Sequence, residues 1–355
     1  MICRATLEIV SEFTSYNCSL FTSQQQQQQQ QQQRWESTPS LDATQKDTLA
    51  RDITIREFQK ALKQQLALNT ESAPGKDGIS YRFIDKALSI TGPLLVEDFN
   101  NLFSATELSE TMKPVLFRFI LKEGKDIDDV TSYRPIALMS SITRLFPKVM
   151  VNRLQPIFQN IISEDQQGFI HGRSSHFNIQ RLQQLVDKMN QHPDKFQNSF
   201  ILQLDFQKAF DRVSHQFLKQ QLQLISIPDK AINAIMLIVT QQQGQALVNN
   251  FLGMPFPITQ GLRQGDPMSP LLFALMILTA DDVIATVNDE TDAAIFHSLI
   301  SQFEKLFNLK LNPMKSVAYG TPGAKNRVIE NWKIPMNSIT DLKFVYLGIP
   351  LSRLD

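Results

Sequence analysis

Three aspartates stand where a carboxylate is costly unless it meets a positive charge. Asp205 ends the run Phe200-Ile201-Leu202-Gln203-Leu204, a mostly apolar stretch that reads as a strand buried on both faces. A carboxylate at the end of such a strand loses water and calls for an ion pair or a bound cation. Asp281 and Asp282 lie side by side in Thr279-Ala280-Asp281-Asp282-Val283, with apolar stretches before and after. Neighbouring residues of a strand point to opposite faces, so these two acids act together only on a tight turn. Acidic oxygen ligands of this kind suit hard divalent cations. An adjacent pair of aspartates is common on surface turns, and its weight depends on what accompanies it.

The elements that must position these residues mix strands and helices in an order that indicates an α+β domain. Thr54 is placed to cap a helix whose apolar stripe is Ile55, Phe58, Leu62 and Leu66. A Pro- and Gly-containing loop follows at Pro74-Gly75-Lys76-Asp77-Gly78, in which Asp77 reads as a turn residue. Leu116 to Lys122 alternates as a strand, and helical patterns cover about 214 to 226 and 229 to 241. Gln24 to Gln33 is an unbroken glutamine tract within polar sequence, so residues 1–50 are expected to be disordered. The remainder divides in sequence order at about residue 200, into 51–200 and 201–355.

Composition narrows the function classes. The chain has 355 residues, 42% of them hydrophobic, with 35 basic against 35 acidic side chains. A zero net charge gives no global attraction to nucleic acid, so such binding needs a local patch. Lys113 to Arg181 is one candidate, with ten basic against six acidic residues. Cys3 and Cys18, the two cysteines, supply neither a disulfide framework nor a zinc cluster. No apolar run reaches the roughly 20 residues of a membrane span, and the chain is expected to be soluble and intracellular, with no membrane partner. The five histidines show no metal-ligand spacing.

Nine segments, in order, resemble the reverse transcriptase of non-LTR (LINE-type) retrotransposons across nearly all of residues 71 to 351. Ser72 to Ile79 resembles the entry segment; Ser132 to Leu138, Asn152-Arg153-Leu154 and Asp165 to Arg173 resemble the fingers. Asp205 to Asp211, Gly261 to Phe273, Ala280-Asp281-Asp282 and Leu309 to Ser316 resemble the four palm motifs, and Tyr346 to Ile349 the segment that grips the primer.

The resemblance implies the fingers and palm of a right-hand polymerase, with the thumb largely absent. Asp205, Asp281 and Asp282 would hold two Mg²⁺ ions (Mn²⁺ as the substitute), which activate a 3′-hydroxyl and stabilise the leaving pyrophosphate. Lys315 would protonate that pyrophosphate. Phe206 and Phe210 would border the nucleotide, Phe210 excluding a ribose 2′-hydroxyl, although an aromatic there serves a core equally well. Gln264 and Gly265 would meet the incoming nucleotide from a loop that enters a helix, with Pro267 in that helix's first turn. Arg134 would reach the triphosphate, and Lys148, Arg153 and Arg173 the template backbone, where a guanidinium fork meets phosphate oxygens in pairs. Tyr346, Leu347 and Gly348 would hold the primer. The implied partners are an RNA template, a DNA primer and deoxynucleoside triphosphates.

Three features depart from the family pattern. Thr279 stands where an aromatic usually precedes the Ala-Asp-Asp triplet. Ala280 follows Pro270 by only ten positions, too few for a complete helix plus the leading strand of a hairpin. The family's endonuclease and full thumb are not expected in this chain. The leading reading is RNA-directed DNA polymerase; the alternative is a catalytically inactive remnant that binds nucleic acid. An unrelated two-metal nuclease gives no reason for Arg263-Gln264-Gly265.

Overall fold

The computed structural model describes residues 2–22, 40–68, 75–164, 166–174, 176–276, 283–307, 310–321, 324–339, 345–346 and 349–350. Its helices are α1 (Ile2–Phe21), α2 (Ala43–Ala50), α3 (Ile55–Leu68), α4 (Tyr81–Lys86), α5 (Leu88–Asn101), α6 (Ser141–Ile161), α7 (His176–Gln191), α8 (Ala209–Arg212), α9 (His215–Leu224), α10 (Asp229–Thr240), α11 (Ser269–Met276), α12 (Glu290–Phe307) and α13 (Arg327–Asn331). Its strands are β1 (Pro114–Leu121), β2 (Tyr133–Leu138), β3 (Phe200–Leu204), β4 (Gln243–Val248), β5 (Phe251–Leu252), β6 (Phe256–Pro257), β7 (Val283–Val287), β8 (Val317–Gly320), β9 (Met336–Ser338), β10 (Val345–Tyr346) and β11 (Ile349–Pro350). The mixture is the α+β class expected. Among the described residues no helix is long and apolar enough to cross a membrane.

Two compact units emerge, Met1–Ile161 with Phe210–Met276, and Ile162–Ala209 with Ile277–Asp355. They differ from the consecutive blocks expected, 51–200 and 201–355. The physical reason is a long-range pairing: β4 lies parallel to β1, from Pro114–Gln243 to Phe117–Ala246, and so draws the segment after residue 210 into the first unit.

In the first unit the sheet runs β2-β1-β4-β5, with β6 on the other edge of part of β4. α1 packs on it. Val10, Phe13, Asn17, Leu20 and Phe21 are buried along one helical face, Asn17 completing the three-to-four spacing between Phe13 and Leu20–Phe21. Phe21 stacks on Phe117 with centroids 4.9 Å apart, and Phe13 lies 4.5 Å from Phe119. The expectation of disorder over 1–50 is thereby corrected at both ends, by α1 and by α2. Polar composition averaged over fifty residues hid an apolar stripe in the first twenty; the glutamine tract itself lies outside the described residues. α3 follows its capping signal, with Glu57 N–H on Thr54 Oγ at 3.3 Å and Thr54 N–H on Glu57 Oε2 at 2.9 Å. Its buried face is Phe58, Ala61, Leu62 and Gln65, rotated from the expected stripe so that Ile55 is exposed. α6 continues through Pro147 and Pro156.

In the second unit the sheet order is β7-β3-β8-β9. β3 is buried on both faces, as its apolar run implied. Phe200, Leu202 and Leu204 pack with Val287, Ala293, Ala318 and Trp332 on one side. On the other, Ile201 meets Ile179, Leu182, Val186 and Met189 of α7.

Candidate active site

Asp205 follows the last residue of β3 and is half-buried. Its carbonyl accepts the Asn312 N–H at 2.8 Å, and its own N–H donates to Ser316 Oγ at 3.1 Å. Ser316 Oγ in turn donates to the Asn312 carbonyl at 2.9 Å, and Ser316 is fully buried. A loop between Leu311 and β8 therefore grips the backbone of Asp205 from both sides. The Asn312 side-chain amide donates to Asp205 Oδ2 at 2.8 Å, leaving a carboxylate whose orientation is set before any cation arrives. Lys315, on the same loop, has Nζ 3.8 Å from Oδ2, with its side chain largely exposed. Negative potential at this carboxylate thus already attracts a cation, and its oxygens are the donor type a hard divalent ion prefers.

The other two expected ligands, Asp281 and Asp282, lie outside the described residues, as does Thr279. What is described is the ladder beside them. β3 and β7 pair antiparallel from Phe200–Val287 to Leu204–Val283. Asp205 follows Leu204 in the chain and Asp282 precedes Val283. Among the described residues no three His, Cys, Asp or Glu side chains converge as a metal cluster. α11 is described over Ser269–Met276, and residues 277–282, on which the expected shortening falls, lie outside the described residues. Phe206 is buried and its backbone bridges to Leu311.

The second palm segment belongs to the first unit and is held rigidly. Gly261 N–H donates to the Val213 carbonyl at 2.8 Å and Leu262 N–H to the Phe210 carbonyl at 2.7 Å. Gly261 has φ +86, and a Cβ there would lie 2.5 Å from the Asp211 carbonyl oxygen. Gly265 has φ +108, with Ala137 O 2.7 Å from where its Cβ would be. The Gln264 carbonyl accepts the Ala137 N–H at 2.7 Å, so this loop is stitched to β2. Arg263, fully buried, pairs with Asp266 Oδ2 at 3.0 Å and donates to the Val239 carbonyl at 3.1 Å. Asp266 Oδ1 accepts the Met268 N–H at 2.9 Å ahead of α11, so Pro267 precedes that helix rather than occupying its first turn. Phe210 stacks on Phe273, centroids 3.8 Å apart, which fixes its ring beside the same segment. His215 is buried with Nε2–H on the Gly261 carbonyl at 2.8 Å. Burial, with the nearby Arg263 charge, outweighs that bond and pushes its pKa down to about 4.

The basic residues separate into two groups. Arg134 is exposed on β2 and Lys148 is half-buried on α6. Burial lowers the Lys148 pKa, and the like charge of Lys60 adds to the effect. Arg153, expected at the template backbone, is engaged within the protein. Its Nε meets Glu57 Oε1 at 2.9 Å, Nη2 meets Oε2 at 3.1 Å, and the remaining donors reach the Arg51 and Asp52 carbonyls. With a side chain only 3% exposed, it ties α6 to the start of α3. Arg173 likewise turns inward, donating to the carbonyls of Ile162, Ser163 and Gln166. Asp77 forms the expected turn, its Oδ1 accepting the Ile79 N–H at 3.2 Å. Tyr346 pairs with Ile349 in the β10–β11 ladder, while Leu347 and Gly348 lie outside the described residues. Asn312, Ser316 and Glu57 are the positioning residues that motif reading passed over, although Thr54-x-x-Glu57 carried a capping signal.

An α+β chain with a carboxylate closing the central strand, a lysine-bearing loop clasped around it and a glycine-rich turn leading to a helix is built like a polymerase palm. The family model of reverse transcriptase (RNA-dependent DNA polymerase) matches residues 120–351, and the chain belongs to that family. It is 25% identical over 263 residues to a Xenopus laevis protein of transposon TX1, covering 74% of this chain and 20% of that one. It is 27% identical over 234 residues to the probable RNA-directed DNA polymerase of the Drosophila melanogaster transposon BS, covering 65% and 25%. It is 23% identical over 310 residues to the RNA-directed DNA polymerase of the mobile element jockey from the same fly, covering 81% and 31%. The chain thus spans between a fifth and a third of the length of these relatives. Among solved structures, a Candida tropicalis telomerase superposes with a TM-score of 0.44 at 10% identity, covering 64% of this chain and 55% of that one.

Proposed function

We propose that this chain supplies the nucleotidyl-transfer centre of an RNA-directed DNA polymerase from a non-LTR retrotransposon. The observation that carries the reading is the β3–β7 ladder, whose last pair, Leu204–Val283, directly adjoins Asp205 in one strand and Asp282 in the other. Asp205, Asp281 and Asp282 would hold two Mg²⁺ ions, with Mn²⁺ as the substitute. Such ions lower the pKa of the attacking hydroxyl and neutralise charge on the departing pyrophosphate. Asn312 orients Asp205, and Lys315 stands ready to give a proton once its carboxylate neighbour is engaged elsewhere. Phe210 and Phe206 border the deoxynucleoside triphosphate, with Gln264, Gly265 and Arg134. Lys148 faces the RNA template, and Tyr346, Leu347 and Gly348 the DNA primer. Arg153 and Arg173 support this indirectly, by holding the backbone that carries the others.

Primer extension on poly(rA) with oligo(dT), dTTP and Mg²⁺ tests the reading, alongside Asp205→Asn. Incorporation by the parent and none by the variant is the expected result. Incorporation retained in Asp205→Asn overturns the catalytic assignment. RNA binding by a folded parent without any incorporation favours the non-catalytic remnant instead.

A further inference from the structure

Away from the palm, α2, α3 and α6 enclose a pocket of about 360 Å³ in the first unit. Thr44, Thr48, Arg51, Lys60, Asn152 and Asn160 line it, together with the Glu57–Arg153 pair. Its one acidic side chain is Glu57, and that carboxylate is saturated. Arg153 takes both oxygens, Arg51 takes both at 3.1 and 3.2 Å, and Thr54 adds its N–H and hydroxyl. Two guanidiniums share one carboxylate, which leaves one positive charge; Lys60 makes two. Nothing that lines the pocket offsets them. The Asn152 amide nitrogen has no hydrogen-bond partner, so a donor also remains unspent. Lys148 and Lys60 repel each other across the α3–α6 pair, a further sign of uncompensated positive potential.

We propose that this pocket is a phosphate-binding site, taking a tetrahedral oxyanion that arrives either as a free phosphate or as a phosphate of a nucleic-acid backbone. The volume is ample for one such group, and guanidinium, ammonium and amide donors are the set that recognises it. None of its residues belongs to the palm, although Asn152 and Arg153 lie in a segment that resembles the fingers.

The test is a titration of the whole chain with inorganic phosphate, following 31P line broadening and the thermal midpoint, against sodium chloride at matched ionic strength. In parallel, anisotropy of a fluorescein-labelled single-stranded RNA is measured from low to moderate salt. Lys60→Glu and Asn152→Leu remove the site's charge and its free donor. Lys63→Glu, exposed on the same helix but off the pocket, makes the same charge change elsewhere. Phosphate is expected to broaden and to raise the midpoint of the parent and of Lys63→Glu, and not of Lys60→Glu. Phosphate binding with unchanged RNA affinity assigns the site to a free phosphate. A salt slope for RNA reduced by about one in Lys60→Glu assigns it to a backbone phosphate. Equal losses in Lys60→Glu and Lys63→Glu, or no phosphate response in the folded parent, overturn the proposal.

Discussion

Asn312 holds Asp205 twice, through its side-chain amide to Oδ2 and through its backbone N–H to the carbonyl, both at 2.8 Å. The carboxylate at the end of the central strand is therefore aimed by a loop more than a hundred residues away in sequence. Groups that orient a metal-ligating carboxylate are commonly worth 10–100-fold in activity or metal affinity. Asn312→Leu is expected to slow single-turnover primer extension by roughly that factor, about 10–100-fold. The Mg²⁺ midpoint should rise while circular dichroism is unchanged. An unchanged Mg²⁺ midpoint would sink the orienting role.

Glu57 and Arg153 form the corresponding clasp in the first unit. Removing one member of a largely buried pair leaves the other charge uncompensated, at a cost of about 3–5 kcal/mol. Since Glu57 keeps 22% of its side-chain exposure, the lower end is expected for Glu57→Gln, read as a fall in the urea unfolding midpoint. Glu57→Leu combined with Arg153→Met should recover part of the loss, because neither charge is then stranded.

Acid should weaken the first unit in two stages. His215 is held neutral with its pKa lowered to about 4 from 6.5. The unfolded chain binds that proton first, so stability falls as pH drops from 6.5 to about 4. Glu57 behaves as a depressed carboxylate. Burial alone would raise its pKa, but Arg153 and the Thr54 N–H bring it down to about 2. Its contribution is complete above pH 4.5 and lost as pH falls toward 2. His215→Gln keeps a donor for the Gly261 carbonyl and should flatten only the upper stage of a midpoint-against-pH curve.

Gly261 and Gly78 separate steric clash from backbone strain. Both have positive φ, +86 and +69, but a Cβ at Gly78 meets nothing within 4 Å. Gly78→Ala is expected to cost about 1 kcal/mol from conformation alone. Gly261→Ala must also move the Asp211 carbonyl and should cost clearly more, with a loss of primer extension that Gly78→Ala does not share. Equal thermal midpoints for the two variants would contradict this account.

Much of the palm was legible in the sequence because its signals are local. The apolar run 200–204 gave β3 with both faces buried, and the 229–241 pattern gave α10 to within a residue. The chemistry-bearing motifs could be read for residue type and order. What escaped depends on tertiary company. Arg153 looks like any basic residue of a helix until Glu57 is seen beside it, 96 positions earlier. Arg173 looks like a phosphate contact until three carbonyls surround it. The glutamine tract that follows α1 masks it, because polar residues dominate any composition averaged over a stretch longer than the helix.

The parallel pairing of β1 with β4 has a consequence for how the chain is made. β1 ends at Leu121 and its partner begins at Gln243, with residues 162–209 of the other unit threaded between. At about 5–20 residues per second, a ribosome needs roughly 6–25 s to deliver the missing strand after β1 has been synthesised. During that interval one edge of the nascent sheet is unsatisfied, and closure across so long a span is slow. Translation speed between those codons then bears on how often β1 meets β4 before it meets a neighbouring chain.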